Sequence, residues 1–378
     1  MSIKRLLYAV AFACIVPTAE AQVPGDWPDV VRQFDAYMAA DKIVGGSILY
    51  MRDGKVLTQY NAGYADRAAK RLVDGDTMFH WGSITKMLTA IAILQLRDDG
   101  KLTLDDKATR LIPELRRVHD PYGKIDEITI RMLLNHTAGF QGRTWPYTKE
   151  LPWQPFEPTE WSQLVAMMPY EQLSFAPGEQ FSYSNPAFVY LGRIVEQLTG
   201  DPRDGYVHKN IFTPLGLQHS YFRNTPRYLR PNRSHHYEVK KKEGGSETVE
   251  DHGPDFDPGI TTPNGGWNAP LSDLARFVAF LTGKPKNKTV LAHASIEEMW
   301  QPGKPMRGNQ WMGLSTFVIK RGNATLLGHT GGQGFFRGYV FFNPATSAAV
   351  VYAFNTTSDA SGETMAALRD RVYDFLAK

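Results

Sequence analysis

Ser83 and Lys86 are the residue pair in this chain best suited to chemistry, and they stand in the run Phe-His-Trp-Gly-Ser-Ile-Thr-Lys-Met-Leu-Thr-Ala from Phe79 to Ala90. A serine hydroxyl is a poor nucleophile at neutral pH and needs a base beside it. If Ser83 opens a helix, Lys86 projects from the same face less than one turn away. A lysine amine is such a base once burial or neighbouring cations lower its pKa enough to leave it neutral. The helix N-terminus adds free N–H groups and a positive dipole end, both suited to a developing oxyanion. Taken alone, Ser-x-x-Lys is equally an N-cap serine with a surface lysine.

Two further motifs single out more residues. Tyr183-Ser184-Asn185 is the only Tyr-x-Asn, and His329-Thr330-Gly331 the only His-Thr-Gly. Gly331 and Gly332 leave a strand open to close approach by a substrate. No Gly-x-Ser-x-Gly occurs, which excludes an α/β-hydrolase elbow as the source of the nucleophile. His136, in Asn-His-Thr-Ala-Gly, reads as a structural histidine near a helix end. His235, His236, Asp251, His252, Asp255 and Asp257 have no recognisable ligand spacing, so no metal is expected. No cofactor is expected either.

The elements that must hold these residues can be read from periodicity. Trp27 to Lys42 fits an amphipathic helix, and Gly45–Met51 with Val56–Ala62 around Arg52-Asp53-Gly54-Lys55 fits a β-hairpin. The Ser83 helix continues through Leu96 and ends near Asp98-Asp99-Gly100. Ile130 to Asn135, Phe188 to Leu198, Ser272 to Leu281 and Thr364 to Leu376 read as helices, and Asp201 to Asp257 as loops. Met312–Lys320, Ala324–His329, Arg337–Asn343 and Ala348–Asn355 read as strands. Together they predict an α+β fold, an antiparallel sheet built from both chain ends and flanked by helices. The expected division is 22–104 with 258–378 as an α/β part and 105–257 as an inserted helical and loop part. Phe140, Trp145, Tyr147, Trp153, Phe156 and Trp161 either pack that insert or wall a pocket, and Trp267 is a second candidate for the border of the site.

Composition narrows the class. The 378 residues are 42% hydrophobic and 21% charged, with a net charge of +3, which gives no reason to expect a nucleic-acid or membrane-surface partner. Lys4 and Arg5, the apolar run Leu6–Val16 and the small-x-small Ala19-Glu20-Ala21 read as a secretory signal over 1–21. That run is too short to span a bilayer, so no stable membrane insertion is expected after cleavage. The expected location is the periplasm or the exterior. Cys14 is the only cysteine. A mature chain from Gln22 therefore has no disulfide, no thiolate nucleophile and no thiolate metal site.

Ser-x-x-Lys, then Tyr-x-Asn, then His-Thr-Gly is the motif order of penicillin-recognising serine hydrolases. The chain resembles the serine β-lactamase-like superfamily: class C β-lactamases, D-alanyl-D-alanine carboxypeptidases, D-aminopeptidases and related carboxylesterases. The likeness extends over Leu102–Asp106, Leu133–Phe140, Pro177–Asn185, Pro214–Leu217, Pro270–Leu281 and Gly328–Gly332. It implies that Ser83 is acylated by an ester or amide carbonyl of a small-molecule or peptide substrate. Lys86 and Tyr183 would share the base work, with Tyr183 drawn toward phenolate by the neighbouring cation. Asn185 would hold Lys86 or the substrate amide. His329 would orient a substrate carboxylate or tune Tyr183, beside Thr330 and Gly331. The N–H groups of Ser83 and Gly332 would form the oxyanion hole. His329 stands where efficient class C β-lactamases carry lysine, which favours an esterase or D-amino-acid peptidase. The alternatives are a β-lactamase proper, or a penicillin or peptidoglycan sensor or scaffold that does not turn over.

Overall fold

The computed structural model describes residues 22–140, 158–242, 245–283, 290–358 and 362–378. Among these residues nine strands form the central sheet, in the spatial order Arg71–Leu72, Lys55–Asp66, Gly45–Arg52, Ala348–Phe354, Phe336–Asn343, Ala324–Gln333, Phe317–Arg321, Gln310–Met312 and Pro305–Arg307. Each neighbouring pair is antiparallel. The two ends of the chain meet mid-sheet, where Gly46 pairs with Phe354 and Arg52 with Ala348. The fold is therefore α+β, with an antiparallel sheet drawn from both ends and helices against it.

Side chains alternate along a strand, and here both faces are covered. Ile48, Tyr50, Val350, Tyr352 and Phe354 enter one core with Trp27, Val30 and Phe34 of the Trp27–Ala40 helix and Leu368, Val372 and Phe375 of the Gly362–Leu376 helix. Leu49, Met51, Ala349, Val351 and Ala353 enter the other core, beneath the Thr85–Asp98 and Leu271–Thr282 helices. That double coverage explains why Ala348–Phe354 reads as an unbroken apolar run. Residues Thr85 to Leu94 are all buried, the mark of a helix enclosed on every side.

Two sequence expectations need correction. Met312–Lys320 is not one strand but the arms Gln310–Met312 and Phe317–Arg321 around a turn, with Met312 opposite Phe317. The turn carries Ser315 at φ +57°. Its backbone is held from elsewhere in the fold, by Leu314 N–H to Met299 O and Ser315 N–H to Leu134 O. Asp201–Asp257 is not loop alone. It holds the helices Arg203–Val207 and Thr213–Leu215 and the hairpin Tyr237–Lys241 with Glu247–Asp251. That hairpin is polar and gains its third, parallel strand, Thr356–Ser358, from the far end of the chain.

The site is reached through a small sheet of Met78–His80, Trp267–Pro270 and Tyr221–Phe222. The backbone N–H of Trp81 donates to Trp267 O at 2.8 Å as the chain leaves it. On the helical side, Pro186–Thr199 begins directly after Asn185 and is anchored by Tyr190, whose hydroxyl donates to Glu171 Oε2 at 2.8 Å. Burial pushes the Glu171 carboxyl up to about 7, against the lowering effect of that hydrogen bond. A carboxyl raised on folding contributes stability that is fully present below its unfolded pKa and lost as pH rises through the folded one. Glu171→Gln keeps an acceptor for Tyr190. It is expected to raise the unfolding free energy at pH 8 by about 1–3 kcal/mol and to leave it unchanged at pH 4, in denaturant titrations. An equal effect at both pH values would contradict this account.

Candidate active site

Gly82–Ile84 is a 3-10 turn that runs into the Thr85–Asp98 helix, so Ser83 sits in a tighter turn than the α-helix start read from sequence. In a 3-10 turn, residues i and i+3 eclipse. Lys86 therefore lies under Ser83, with Nζ 3.0 Å from Oγ.

Lys86 is fully buried. Its Nζ donates to Asn185 Oδ1 at 2.8 Å and to the carbonyl of Asn264 at 2.9 Å. Neither acceptor is charged, and burial holds the amine well below its ordinary pKa. A neutral amine has two N–H groups and one lone pair. With both N–H groups taken by carbonyl oxygens, the lone pair is left for the Ser83 hydroxyl, and such a lone pair can accept its proton.

Tyr183 packs beside this pair. Lys86 Nζ is 4.9 Å from its ring centroid, and the phenol is hydrogen-bonded with Ser83. Burial pushes the phenol above its ordinary pKa, outweighing the Ser83 hydrogen bond. The expected phenolate is thus corrected to a neutral phenol. A neutral Lys86 offers no cation to stabilise the anion, and burial penalises it.

His329 is also corrected in part. It is fully buried, its ring stacks on Phe317 at 4.4 Å and 16°, and its Nδ1 lies 2.6 Å from Thr330 O. Burial lowers its pKa to about 3. A neutral ring behind the strand is no cation for a substrate carboxylate. Its ring centroid is 6.2 Å from that of Tyr183, which leaves it placed to tune the phenol.

Backbones meet where Ser83 faces the sheet. A Cβ on Gly331 would lie 1.9 Å from Trp81 O, and one on Gly82 2.6 Å from Gly332 N. Only two bare backbones fit at this distance. Ser83 and Gly332 border two clefts. One, of about 390 Å³, has Asn185, Phe256, Pro258, Asn264 and Gln333 in its wall. The other, of about 440 Å³, has Phe181, Tyr183, Arg307, Thr330 and Arg369. A larger cavity of about 700 Å³ lies behind Ile260–Pro263 and holds none of the motif residues. Its Arg193 and Arg203 are paired with Glu196 and Asp204.

Sequence reasoning missed several residues here. Asn264 contributes a carbonyl, which no side-chain pattern reveals. Gln333 packs on Gly265 and reaches His80, whose Nε2 is 3.1 Å from its Oε1 and whose Nδ1 is 2.8 Å from Asn268 Oδ1. Arg307 and Arg369 form no ion pair among the described residues and become neighbours of Ser83 only in three dimensions. Trp267 is core rather than border: it is fully buried, and its indole N–H donates to Ser220 Oγ at 3.0 Å.

Phe140 and Trp161 pack on Tyr190, while Trp145, Tyr147, Trp153 and Phe156 lie outside the described residues, as do residues 1–21, where a secretory signal is expected. Of the histidines and acids weighed for metal, His235 pairs with Asp66 and Asp251. His252 instead lies with Glu238 and Glu250, ligand atoms within 4.8 Å of one another, and the Lys240 ammonium sits on both carboxylates. No helix among the described residues is long and apolar enough to cross a membrane.

A family model described as Beta-lactamase matches residues 30–374. Esterase EstB of Burkholderia gladioli is 30% identical over 371 residues, covering 90% of this chain and 93% of that protein. The octameric penicillin-binding protein homologue from Pyrococcus abyssi superposes with a TM-score of 0.77 at 24% identity, over 93% of this chain and 77% of that one. A D-stereospecific amidohydrolase from Streptomyces sp. superposes with a TM-score of 0.70 at 25% identity, over 91% and 98%.

The close approach at Gly331 generates a prediction. Gly331→Ala must push the strand off the Gly82–Ser83 turn and separate the two N–H groups that border the clefts. It is expected to cut kcat/KM on an activated ester at least about a hundredfold. Gly205→Ala, where a Cβ meets nothing within 4 Å, is the control and should leave the rate unchanged.

Proposed function

This chain belongs to the β-lactamase family, and we propose that it is a serine hydrolase that cleaves esters or amides through an acyl-enzyme on Ser83. That it is an enzyme of the serine hydrolase class follows from the family match and from its esterase relative. The observation that carries the finer reading is the fully buried Lys86, its Nζ 3.0 Å from Ser83 Oγ and held by two uncharged carbonyl oxygens, where burial lowers the amine pKa well below its ordinary value.

In this mechanism Lys86 takes the Ser83 proton as Oγ attacks the carbonyl carbon. The oxyanion is received by the N–H groups of Ser83 and Gly332. As the tetrahedral intermediate collapses, the Tyr183 hydroxyl gives its proton to the departing alkoxide or amine, and the Lys86 ammonium returns a proton to the phenolate. Water then repeats the sequence on the acyl-enzyme, with Ser83 as the leaving group. The charge reading favours an anionic substrate. His329 is neutral, whereas Arg307 and Arg369 bring guanidinium groups without acidic partners among the described residues to the Tyr183 side of the cleft. A carboxylate on the substrate, as in a D-amino-acid peptide or its ester, fits that side. The segment 1–21, with its Lys4-Arg5 and apolar run, supports a site of action in the periplasm or outside the cell.

Intact mass after incubation with a penicillin, and separately with a p-nitrophenyl ester, tests the nucleophile. An adduct or released product in the wild type, and neither in Ser83→Ala, is the expected result. Turnover by Ser83→Ala would sink the mechanism. A penicillin adduct that persists would identify a sensor, and hydrolysed drug a β-lactamase. Arg369→Gln is expected to raise KM about tenfold for a carboxylate-bearing ester and less than twofold for its neutral analogue, by steady-state kinetics.

A further inference from the structure

His136 lies outside all three motifs yet touches the second at two points and the residue before it at a third. Its carbonyl accepts the Ser182 N–H at 3.0 Å, and its Nδ1 accepts the Ser184 N–H at 3.0 Å. Its ring lies over the Tyr183 ring, with centroids 4.5 Å apart and planes 26° from parallel. The backbone on both sides of residue 183 and one face of its phenol are therefore held by a single residue. His136 does this at φ +61°, a left-handed conformation that disfavours a side chain as large as imidazole. Glycine or asparagine would sit there with less strain, so backbone conformation alone gives no reason for a ring.

The ring is itself a poor candidate for proton transfer. Its Nδ1 is spent on a main-chain N–H, which fixes the proton on Nε2, and Nε2 is buried without a partner among the described residues. Burial holds its pKa well below the ordinary value, so the imidazole is neutral. It borders neither cleft beside Ser83. What it supplies is a flat, uncharged wall against Tyr183.

We propose that His136 is a positioning residue that aims the Tyr183 hydroxyl at the leaving group. This rests on the reading of Tyr183 as the acid of the mechanism above. A phenol that drifts from the departing atom slows only reactions that need its proton. An alkoxide leaving group needs that proton, whereas p-nitrophenolate departs without it.

Two variants separate the contacts. His136→Asn keeps an acceptor for Ser184 and tolerates the left-handed backbone, but removes the ring. His136→Phe keeps the ring and removes the acceptor. For His136→Asn, kcat/KM on an alkyl ester, which reports acylation and not the deacylation common to both esters, is expected to fall at least about tenfold, and kcat/KM on the matched p-nitrophenyl ester less than about threefold. His136→Phe, the second variant should Asn fail to fold, is expected to show the same bias at about threefold or more. In a Tyr183→Phe background, His136→Asn should cost nothing further. Equal losses on both esters, or an added loss in that background, would overturn the positioning role. Tyr183→Phe alone decides whether the acid reading is at fault. If it lacks the leaving-group bias, that reading fails and this inference falls with it. If it shows the bias and the His136 variants do not, only the inference fails.

Discussion

A lysine amine buried without a carboxylate is the constraint on which the rest of the site depends. Charging it there would cost several kcal/mol, so it stays neutral, and a neutral amine can be oriented by hydrogen bonds. Asn185 comes from the start of the Pro186–Thr199 helix and Asn264 from the turn before Trp267. Each contributes one carbonyl oxygen to Nζ. The two halves of the chain are therefore tied at the lysine, and its lone pair has one remaining direction.

Neutrality extends outward from that point. Burial keeps the imidazoles of His136 and His329 uncharged. Tyr183 stands among these groups with no cation in contact, so its phenol holds its proton. In the proposed mechanism the centre thus contains one hydroxyl to be activated, one amine to receive a proton and one phenol to deliver one. Formal charge stands in the cleft walls, in Arg307 and Arg369 on the Tyr183 side and in Asp257 on the other. This arrangement places electrostatic attraction where a substrate is recognised and keeps it away from the atoms that exchange protons.

The geometry is held by backbone rather than by side chains. The Trp81–Ser83 turn and the strand approach too closely for a Cβ on Gly82 or on Gly331, and that strand pairs with Phe336–Asn343 from Leu327 to Gln333. Thr85 tightens the same corner: its Oγ1 donates to Gly82 O at 2.6 Å and accepts Trp267 N–H at 3.0 Å. A single rigid corner therefore sets both the nucleophile and the two N–H groups that face its target.

The sequence by itself determined the sheet from both chain ends, the helices on its faces and the three motifs, because each rests on local periodicity or on residue identity at fixed spacing. Ser83 and Lys86 belong together at i and i+3 in any helical turn. Gly331 and Gly332 announce an approach of backbone. It failed for Asp201–Asp257 and for the Met312–Lys320 turn, where bonds from distant segments (Thr356–Ser358, Met299, Leu134) supply what local pattern lacks. It also put the wrong charge on Tyr183. Protonation depends on burial and on neighbours remote in sequence, so only the tertiary structure decided that the lysine is an amine, the tyrosine a phenol and His136 the wall behind it.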